Sequence, residues 1–317
     1  MKLLITFLLA LTISTSLFSQ DFVLASYNCE NAFDTIHDEG KNDYEFLPQG
    51  NRRWSRKRMF NKLKNIGKVI LSIDSVKPAD IICLEEVEND TVLTYLTCNT
   101  SLARIGYRYV MTSSLDERGI DVAVLYSPFT FHLISSHIIR PRIDGFTRDV
   151  LHVTGWIAGG DTLDVFAVHL PSKLKGKTSE RNRLIIASQI MDCIDSLRSV
   201  RSNLNTVIMG DFNDGPGSKV VRQGFGGMTN LMTRRHQSYK YQGRWDCIDQ
   251  ILVNKEMLHR VKESGVATRQ FLLEPDERYS GTKPRRTFVG WNYNASGFSD
   301  HLPVYLRIGN TQHRDAR

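Results

Sequence analysis

The sequence predicts an α/β fold in which two packed β-sheets are flanked by helices within one layered domain. Two observations predict it. Strand-like runs rich in Val, Ile, Leu and aromatic residues recur along the whole chain, and several are apolar throughout, as central strands are. Two stretches with helical periodicity lie between them.

In chain order the strand-like runs are "FVLASYN" (22–28), "DIICLEEV" (80–87), "YRYVMTSS" (107–114), "DVAVLYS" (121–127), "FHLISSHII" (131–139), "VLHVTGWIA" (150–158), "LDVFAVHL" (163–170), "TVIMGDF" (206–212), "CIDQILVN" (247–254) and "VYLRIG" (304–309). The first helix is expected over 58–73, where Met59, Leu63, Ile66, Ile70 and Ile73 recur on one face. The second is expected over 179–200, with Leu184, Ala187, Ile190, Ile194 and Leu197 inward. Thr178 or Ser179 is a plausible start for it, with Glu180 in the first turn. The segment "GTKPRRTFVGWNYNASG" (281–297) reads as a long surface loop. No repeat, low-complexity tract or Pro-rich linker divides the chain, so one domain is expected over 20–309, followed by the polar tail 310–317.

Residues 1–19 read as a separate segment. Lys2 precedes the apolar run "LLITFLLALTI", and the small and polar "STSLFSQ" follows. That is the layout of a cleavable signal peptide, with cleavage near Ser19 or Gln20. The apolar run is short for a membrane anchor. No Cys stands there to carry a lipid. A secreted or periplasmic protein without stable membrane insertion is expected, and a monomer.

With 317 residues, 41% of them hydrophobic and 24% charged, the chain can bury a sizeable core, which excludes a disordered or fibrous protein. The net charge of +7 suits an anionic substrate. Cys29, Cys83, Cys98, Cys193 and Cys247 are odd in number and match no zinc spacing. Cys29, Cys83 and Cys247 lie in strand-like runs, where buried free thiols are common.

The strands place their polar residues in a pattern. "FVLASYNCEN" ends in Asn28 and Glu30, "DIICLEEVEN" in Glu85, Glu86 and Glu88, "LDVFAVHLPSK" in His169 and Ser172, and "TVIMGDFND" in Asp211 and Asn213. "WDCIDQILVN" and "GFSDHLPVYLRI" begin with polar residues instead: Asp246 and Asp249, then Asp300 and His301. Antiparallel placement would bring all six polar ends to one rim. A single Asp or Asn after a strand is ordinarily a turn residue or helix cap. Six coincident cases imply a shared site. Carboxylates cluster when a cation neutralises them, and hard oxygen donors favour Mg²⁺, Mn²⁺ or Ca²⁺ over zinc.

The blocks "SYNCEN", "DIICLEEVEN", "VHLPSK", "GDFND", "CIDQILV" and "FSDHLPV" resemble, in order and spacing, the endonuclease/exonuclease/phosphatase superfamily, over about residues 22–308. That group includes deoxyribonuclease I, abasic-site endonucleases, bacterial sphingomyelinases and inositol polyphosphate 5-phosphatases. The resemblance implies a four-layer α/β sandwich of two mixed β-sheets and a hydrolase of phosphate esters that uses a divalent cation. Glu86 then matches the metal-binding Glu. Glu85 replaces the usual Gln, a departure expected to add negative charge. Asn28 matches the Asn near metal and phosphate, Glu30 an acidic second-site ligand, and Asp300 a residue near the metal. Asp211 and Asn213 match the pair that orients the attacking water. His301, oriented by Asp249, and His169 match the two active-site histidines, and which of them is the acid stays open. Arg148 matches a phosphate-contacting Arg, and Ser172 joins it as an expected substrate contact. Arg118 and Asp121, in "RGIDVAVLY", are expected to face the site.

Several phosphate esters remain open as substrate. "NRRWSRKRMFNKLKNIGK" (51–68) is basic and holds Trp54 and Phe60. Either it tracks a nucleic-acid backbone while Trp54 stacks on a base, or it is a solvated helix face with one docking aromatic. "KPRRTFVGW" (283–291) is a second basic-aromatic loop. The leading expectation is an endonuclease or related phosphodiesterase acting on DNA or RNA. The alternative is a phosphomonoesterase, or a phosphodiesterase acting on a lipid headgroup, inositol phosphate or sugar phosphate. A lipid enzyme would want exposed apolar loops, and the sequence shows no clear one.

Overall fold

The computed structural model describes residues 21–157 and 160–309, so the expected signal peptide and polar tail lie outside the described residues. The elements are β1 (Phe22–Ala32), α1 (Arg56–Ser72), β2 (Ile81–Val87), α2 (Asp90–Cys98), β3 (Arg108–Met111), β4 (Asp121–Tyr126), β5 (Phe131–Ile139), β6 (Val150–Ile157), β7 (Thr162–His169), α3 (Lys177–Val200), β8 (Asn205–Asp211), β9 (Thr229–Asn230), β10 (Tyr239–Tyr241), β11 (Arg244–Asp246), β12 (Asp249–Val253), α4 (Lys255–Leu258), β13 (Val261–Val266), β14 (Leu273–Pro275), β15 (Thr282–Pro284), β16 (Phe288–Val289), β17 (Asn292–Tyr293) and β18 (Val304–Ile308).

Two six-stranded mixed sheets carry the fold, in the orders β13-β18-β1-β2-β4-β3 and β5-β6-β7-β8-β12-β9. Each has one parallel pair near its centre, β1 with β2 and β7 with β8. Parallel neighbours need a crossover, and α1 and α3 supply it. Strand alternation then makes the layers. Leu24, Cys83 and Val124 of the first sheet meet Val165, Val207 and Met209 of the second in the central core. Val23, Ala25 and Ile82 face outward onto Leu63, Ile66 and Ile70 of α1. Phe166 and Ile208 face outward onto Ile186, Ile190 and Ile194 of α3. The expected four-layer α/β sandwich is the observed fold. Strands buried on both faces explain the unbroken apolar runs.

The departures have local causes. α3 begins at Lys177, ahead of the expected start, with Gly176 at its N-cap and no side-chain capping bond. Ser179 Oγ instead accepts from Lys175 N at 3.2 Å. The helix α2, nine residues with three Thr, is too short for a helical period to be read from sequence; Asn89 caps it, accepting from Val92 N at 3.1 Å. Strand β13, "VKESGV", is polar because it is a sheet edge. The expected surface loop 281–297 folds back as β15, β16 and β17, burying Thr287 and Phe288. Trp54 does not stack on a base. It is fully buried, its Nε1 donates to Phe33 O at 2.9 Å, and it packs edge-on against Phe46. The docking-aromatic alternative therefore holds. All five cysteines are free, and Cys29, Cys83 and Cys247 are buried as expected.

Gly210 precedes Asp211 in β8 with φ at +148°, and a Cβ there would lie 1.9 Å from the carbonyl oxygen of Val168 in β7. Both backbones are in a central parallel pair and have nowhere to move. Gly210→Ala is expected to cost about 3 kcal/mol or more of stability. Denaturant unfolding checks this, and a variant as stable as the parent contradicts it.

Candidate active site

The register aligns the polar strand ends. His169 pairs with Asp211 across β7 and β8, and Asp211 pairs with Asp249 across β8 and β12. Asn28 pairs with Glu85 across β1 and β2. The site thus lies beyond the carboxyl ends of both parallel pairs, where α/β sheets bind ligands. Glu30, Asn31, Glu86 and Asn213 all leave their strands with positive φ, between 49° and 61°. None is glycine, so each turn carries local strain that the surrounding bonds hold in place.

Asp211 is the centre. Its Oδ1 accepts from Asn213 N at 2.7 Å, and its Oδ2 accepts from Asn28 Nδ2 at 3.2 Å. His169 Nε2 is 3.5 Å and His301 Nε2 3.9 Å from the same Oδ2. Burial, reinforced by Asp249 and Glu86 against the pull of His301, raises Asp211 to about 7. His301 Nδ1 donates to Asp249 Oδ2 at 2.9 Å, and Ser238 Oγ donates to the same oxygen. The His301 backbone is fixed as well: its N–H donates to Ser299 Oγ at 3.1 Å, and Ser299 Oγ donates to Asn28 O at 2.7 Å.

The two histidines are driven apart. Burial opposes charge on His301, but Asp249, Asp211 and Asp300 outweigh it and hold the imidazolium well above the usual range. Burial, Arg148 and Arg118 push His169 well below that range, so it is neutral. Among the described residues its Nδ1 has no partner.

Glu86 Oε2 accepts from Asn31 N at 3.0 Å, and its Oε1 lies 3.4 Å from Arg118 Nη2 and 4.0 Å from His169 Nε2. Burial works against its charge, but Arg118, His301 and Arg148 lower it below the usual carboxylate range. Glu85 behaves oppositely. It is buried in the core, accepts from Ser26 Oγ at 2.7 Å, and burial raises it well above the usual range. Burial therefore opposes the charge expected from replacing the usual Gln.

Asn28, Glu86, His169, Asp211, Asn213, Asp249 and His301 converge, and Arg118 joins them. Other expected residues are engaged elsewhere. Glu30 is turned away from the centre: Oε1 accepts from Arg286 Nε at 3.1 Å and Oε2 from Thr287 N at 2.6 Å. Asp300 Oδ2 accepts from Arg286 Nη2 at 3.0 Å. Arg148 is buried, bound to Asp116 Oδ2 at 3.2 Å and Leu170 O at 2.9 Å, so it fastens two loops rather than reaching into open space. Asp121 is spent on Thr112 Oγ1 and Ser114 N. Ser172 opens the short turn after His169 and makes no capping bond. Asp214 is a structural anchor, 3.2 Å from both Lys173 Nζ and Arg183 Nη2.

Sequence reasoning missed Tyr239, whose ring lies 4.7 Å from the His301 ring, and Arg286. Tyr239 sits in a short hairpin with no strong strand signal. Arg286 lay within a segment read only as basic loop.

The donor set suits a divalent cation. Carboxylate, amide and imidazole donors surround a pocket of excess buried negative charge. Donor atoms of Asp211, Asp249 and His301 lie within 4.8 Å of one another. Because Nδ1 of His301 is bonded to Asp249, the carboxylates left to hold an ion are Glu86 and Asp211, each oriented by a neighbouring backbone N–H. Hard oxygens of this kind fit Mg²⁺ or Mn²⁺.

A family model described as Endonuclease/Exonuclease/phosphatase family matches residues 23–310. No curated protein matches the chain. Among solved structures, an endonuclease/exonuclease/phosphatase family protein from Bacteroides thetaiotaomicron is similar at TM-score 0.60 and 16% identity, over 92% of this chain and 99% of that one. The mannosyl-6-phosphatase Bt3783 of the same organism aligns at TM-score 0.58 and 15% identity, over 90% and 99%. The human Nocturnin catalytic domain with bound sulfate aligns at 0.55 and 16%, over 92% and 95%. These likenesses are of fold, and the matched family covers nearly the whole described chain. The chain belongs to the Endonuclease/Exonuclease/phosphatase family and is a hydrolase of phosphate esters.

Proposed function

We propose that the protein is a divalent-metal-dependent phosphodiesterase, acting outside the cytoplasm on a polyanionic chain such as DNA or RNA. The observation that carries this is the central carboxylate of Asp211 with a charged imidazole, His301, on one side and a neutral one, His169, on the other. Asp211 accepts the proton of a water aligned with Asn213 for in-line attack on phosphorus. His301 gives its proton to the departing alkoxide and regains one from solvent as Asp211 releases the one it took, with Asp249 holding the imidazole in place. His169 offers a neutral Nε2 to a phosphate oxygen. Glu86, with Asn28, would hold the cation, which when bound neutralises charge developing on the phosphate.

A cavity of about 410 Å³ flanks the site. Lys173, Arg234, Arg244 and Trp245 line it, beside the Gly215–Gly217 loop that follows Asp214. Cationic side chains around one aromatic suit the phosphate and base of a neighbouring nucleotide. Arg234→Ala with Arg244→Ala is expected to raise KM for an oligonucleotide about 10-fold and flatten its salt dependence. Hydrolysis of bis(p-nitrophenyl) phosphate should be unchanged. Equal loss on both substrates contradicts a flanking subsite.

One observation favours a second reading. Leu174 is 94% exposed, Phe146 61% and Leu115 49%, all on loops next to the site, contrary to the sequence expectation of no exposed apolar loop. Such tips suit a phosphodiester presented at a lipid surface. Incubation with DNA, RNA, sphingomyelin vesicles and phosphomonoesters in Mg²⁺ or Mn²⁺ separates the readings. Cleavage of nucleic acid that chelator or Glu86→Gln abolishes is expected. Turnover of vesicles alone supports the second reading, and turnover of monoesters alone overturns both.

A further inference from the structure

We propose that Arg286 stands in for a second divalent cation: it closes the acidic second site of Glu30 and Asp300, so the enzyme works with one ion and supplies the other positive charge from its own chain. This rests on the phosphodiesterase reading only for the catalytic part. The ion count follows from the charges.

Two acids at this rim, Glu30 and Asp300, could hold a second ion. Three of their four oxygens are already engaged. Arg286 bridges them, with Nε 3.1 Å from Glu30 Oε1 and Nη2 3.0 Å from Asp300 Oδ2. Thr287 N takes the other Glu30 oxygen at 2.6 Å, and Lys62 Nζ stands 3.9 Å behind it. An ion that coordinates oxygens at about 2.1 Å would have to displace both cations from these acids.

The arrangement is built from below. Lys62 is buried on α1, and its Nζ donates to Thr287 Oγ1 at 2.5 Å and Phe298 O at 2.6 Å. Those bonds fix the backbone on both sides of the chain reversal that carries Arg286. Phe288 beside it is buried among Phe46, Trp54 and Tyr293. The Arg286 side chain itself is 40% exposed, so it is not sealed as a purely structural ion pair would be.

At the second site the charges are already closed: Lys62 and Arg286 match the two carboxylates of Glu30 and Asp300. A second ion there would leave uncompensated positive charge in a largely buried site, which is costly. With Nε and Nη2 on the acids, the guanidinium keeps Nη1 for a phosphate oxygen.

The test counts ions before any substrate is added. Mn²⁺ binding to the purified protein, followed by calorimetry and by electron paramagnetic resonance, is expected to give one ion per chain. Arg286→Met should bind two, the second more weakly, while Arg286→Lys, which keeps a cation, should bind one. On a phosphodiester, Arg286→Met should lose about 100-fold in kcat at Mn²⁺ that fills one site, and recover part of it when more Mn²⁺ fills the second. A purely structural salt bridge would show no such rescue. Two ions in the parent protein, or one ion in a folded Arg286→Met, overturns the proposal. If Arg286→Met does not fold, the parent and Arg286→Lys counts decide alone, and two ions in either overturns it. A parent that binds one ion yet hydrolyses no phosphodiester sinks the functional reading and leaves the ion count standing.

Discussion

Asp211→Asn should lose about 10³-fold in kcat on a phosphodiester while becoming more stable at neutral pH. Both effects have one origin. Burial holds the Asp211 carboxyl up to about 7, so the fold carries a charge it would rather not bury. An unfolded Asp ionises near 3.9, so the unfolded chain sheds this proton first as pH rises. The penalty is absent below about pH 4 and grows until pH passes about 7. Asn cannot ionise and escapes it. In chelator, the variant should match the parent at about pH 4 and exceed it by about 1–2 kcal/mol at about pH 8. Asn can still accept from Asn213 N, and it gives up the acceptor that Asn28 Nδ2 uses, which the protonated parent carboxyl weakens too at low pH. Denaturant unfolding at the two pH values, beside the kinetics, checks both halves. A variant that keeps its rate, or is less stable at the higher pH, contradicts the account.

His301→Ala should discriminate by leaving group. Asp249, Asp211 and Asp300 keep His301 charged against its burial, which suits a proton donor to a poor leaving group. An alkyl phosphodiester needs that proton and should slow about 10³-fold, whereas p-nitrophenolate leaves unaided and should slow only about 10-fold. Asp249→Asn should reproduce the trend more weakly, since Ser238 still fixes the orientation. Steady-state rates on the two esters test this. Equal losses on both would make His301 an electrostatic group and not the acid.

Much of the site is legible in the sequence because strands buried on both faces leave no reason for an acid at their ends unless something uses it. Asp211, Asn213 and His169 follow unbroken apolar runs, and Asp249 and His301 precede them. What the sequence does not carry is depth and pairing. Glu85 and Glu86 are adjacent letters, yet strand alternation sends the first into the core, where burial opposes its charge, and the second to the rim, where Arg118 favours its charge. Arg286 and Lys62 read as surface charge, and their meaning depends on Glu30, distant from both in the chain. Trp54 sits among cations in the sequence, but it precedes α1 and turns inward onto Phe46 and Phe288, which are distant from it or unmarked in the sequence.

The central claim is that water aligned by Asp211 attacks phosphorus and the leaving oxygen departs with a proton. Hydrolysis in ¹⁸O-water of a dialkyl phosphodiester tests it most directly, with product masses read separately. The label should appear only in the phosphate product, one oxygen per turnover, and accumulate about 10³-fold more slowly in Asp211→Asn. Label in the alcohol would mean cleavage at carbon and would contradict the account.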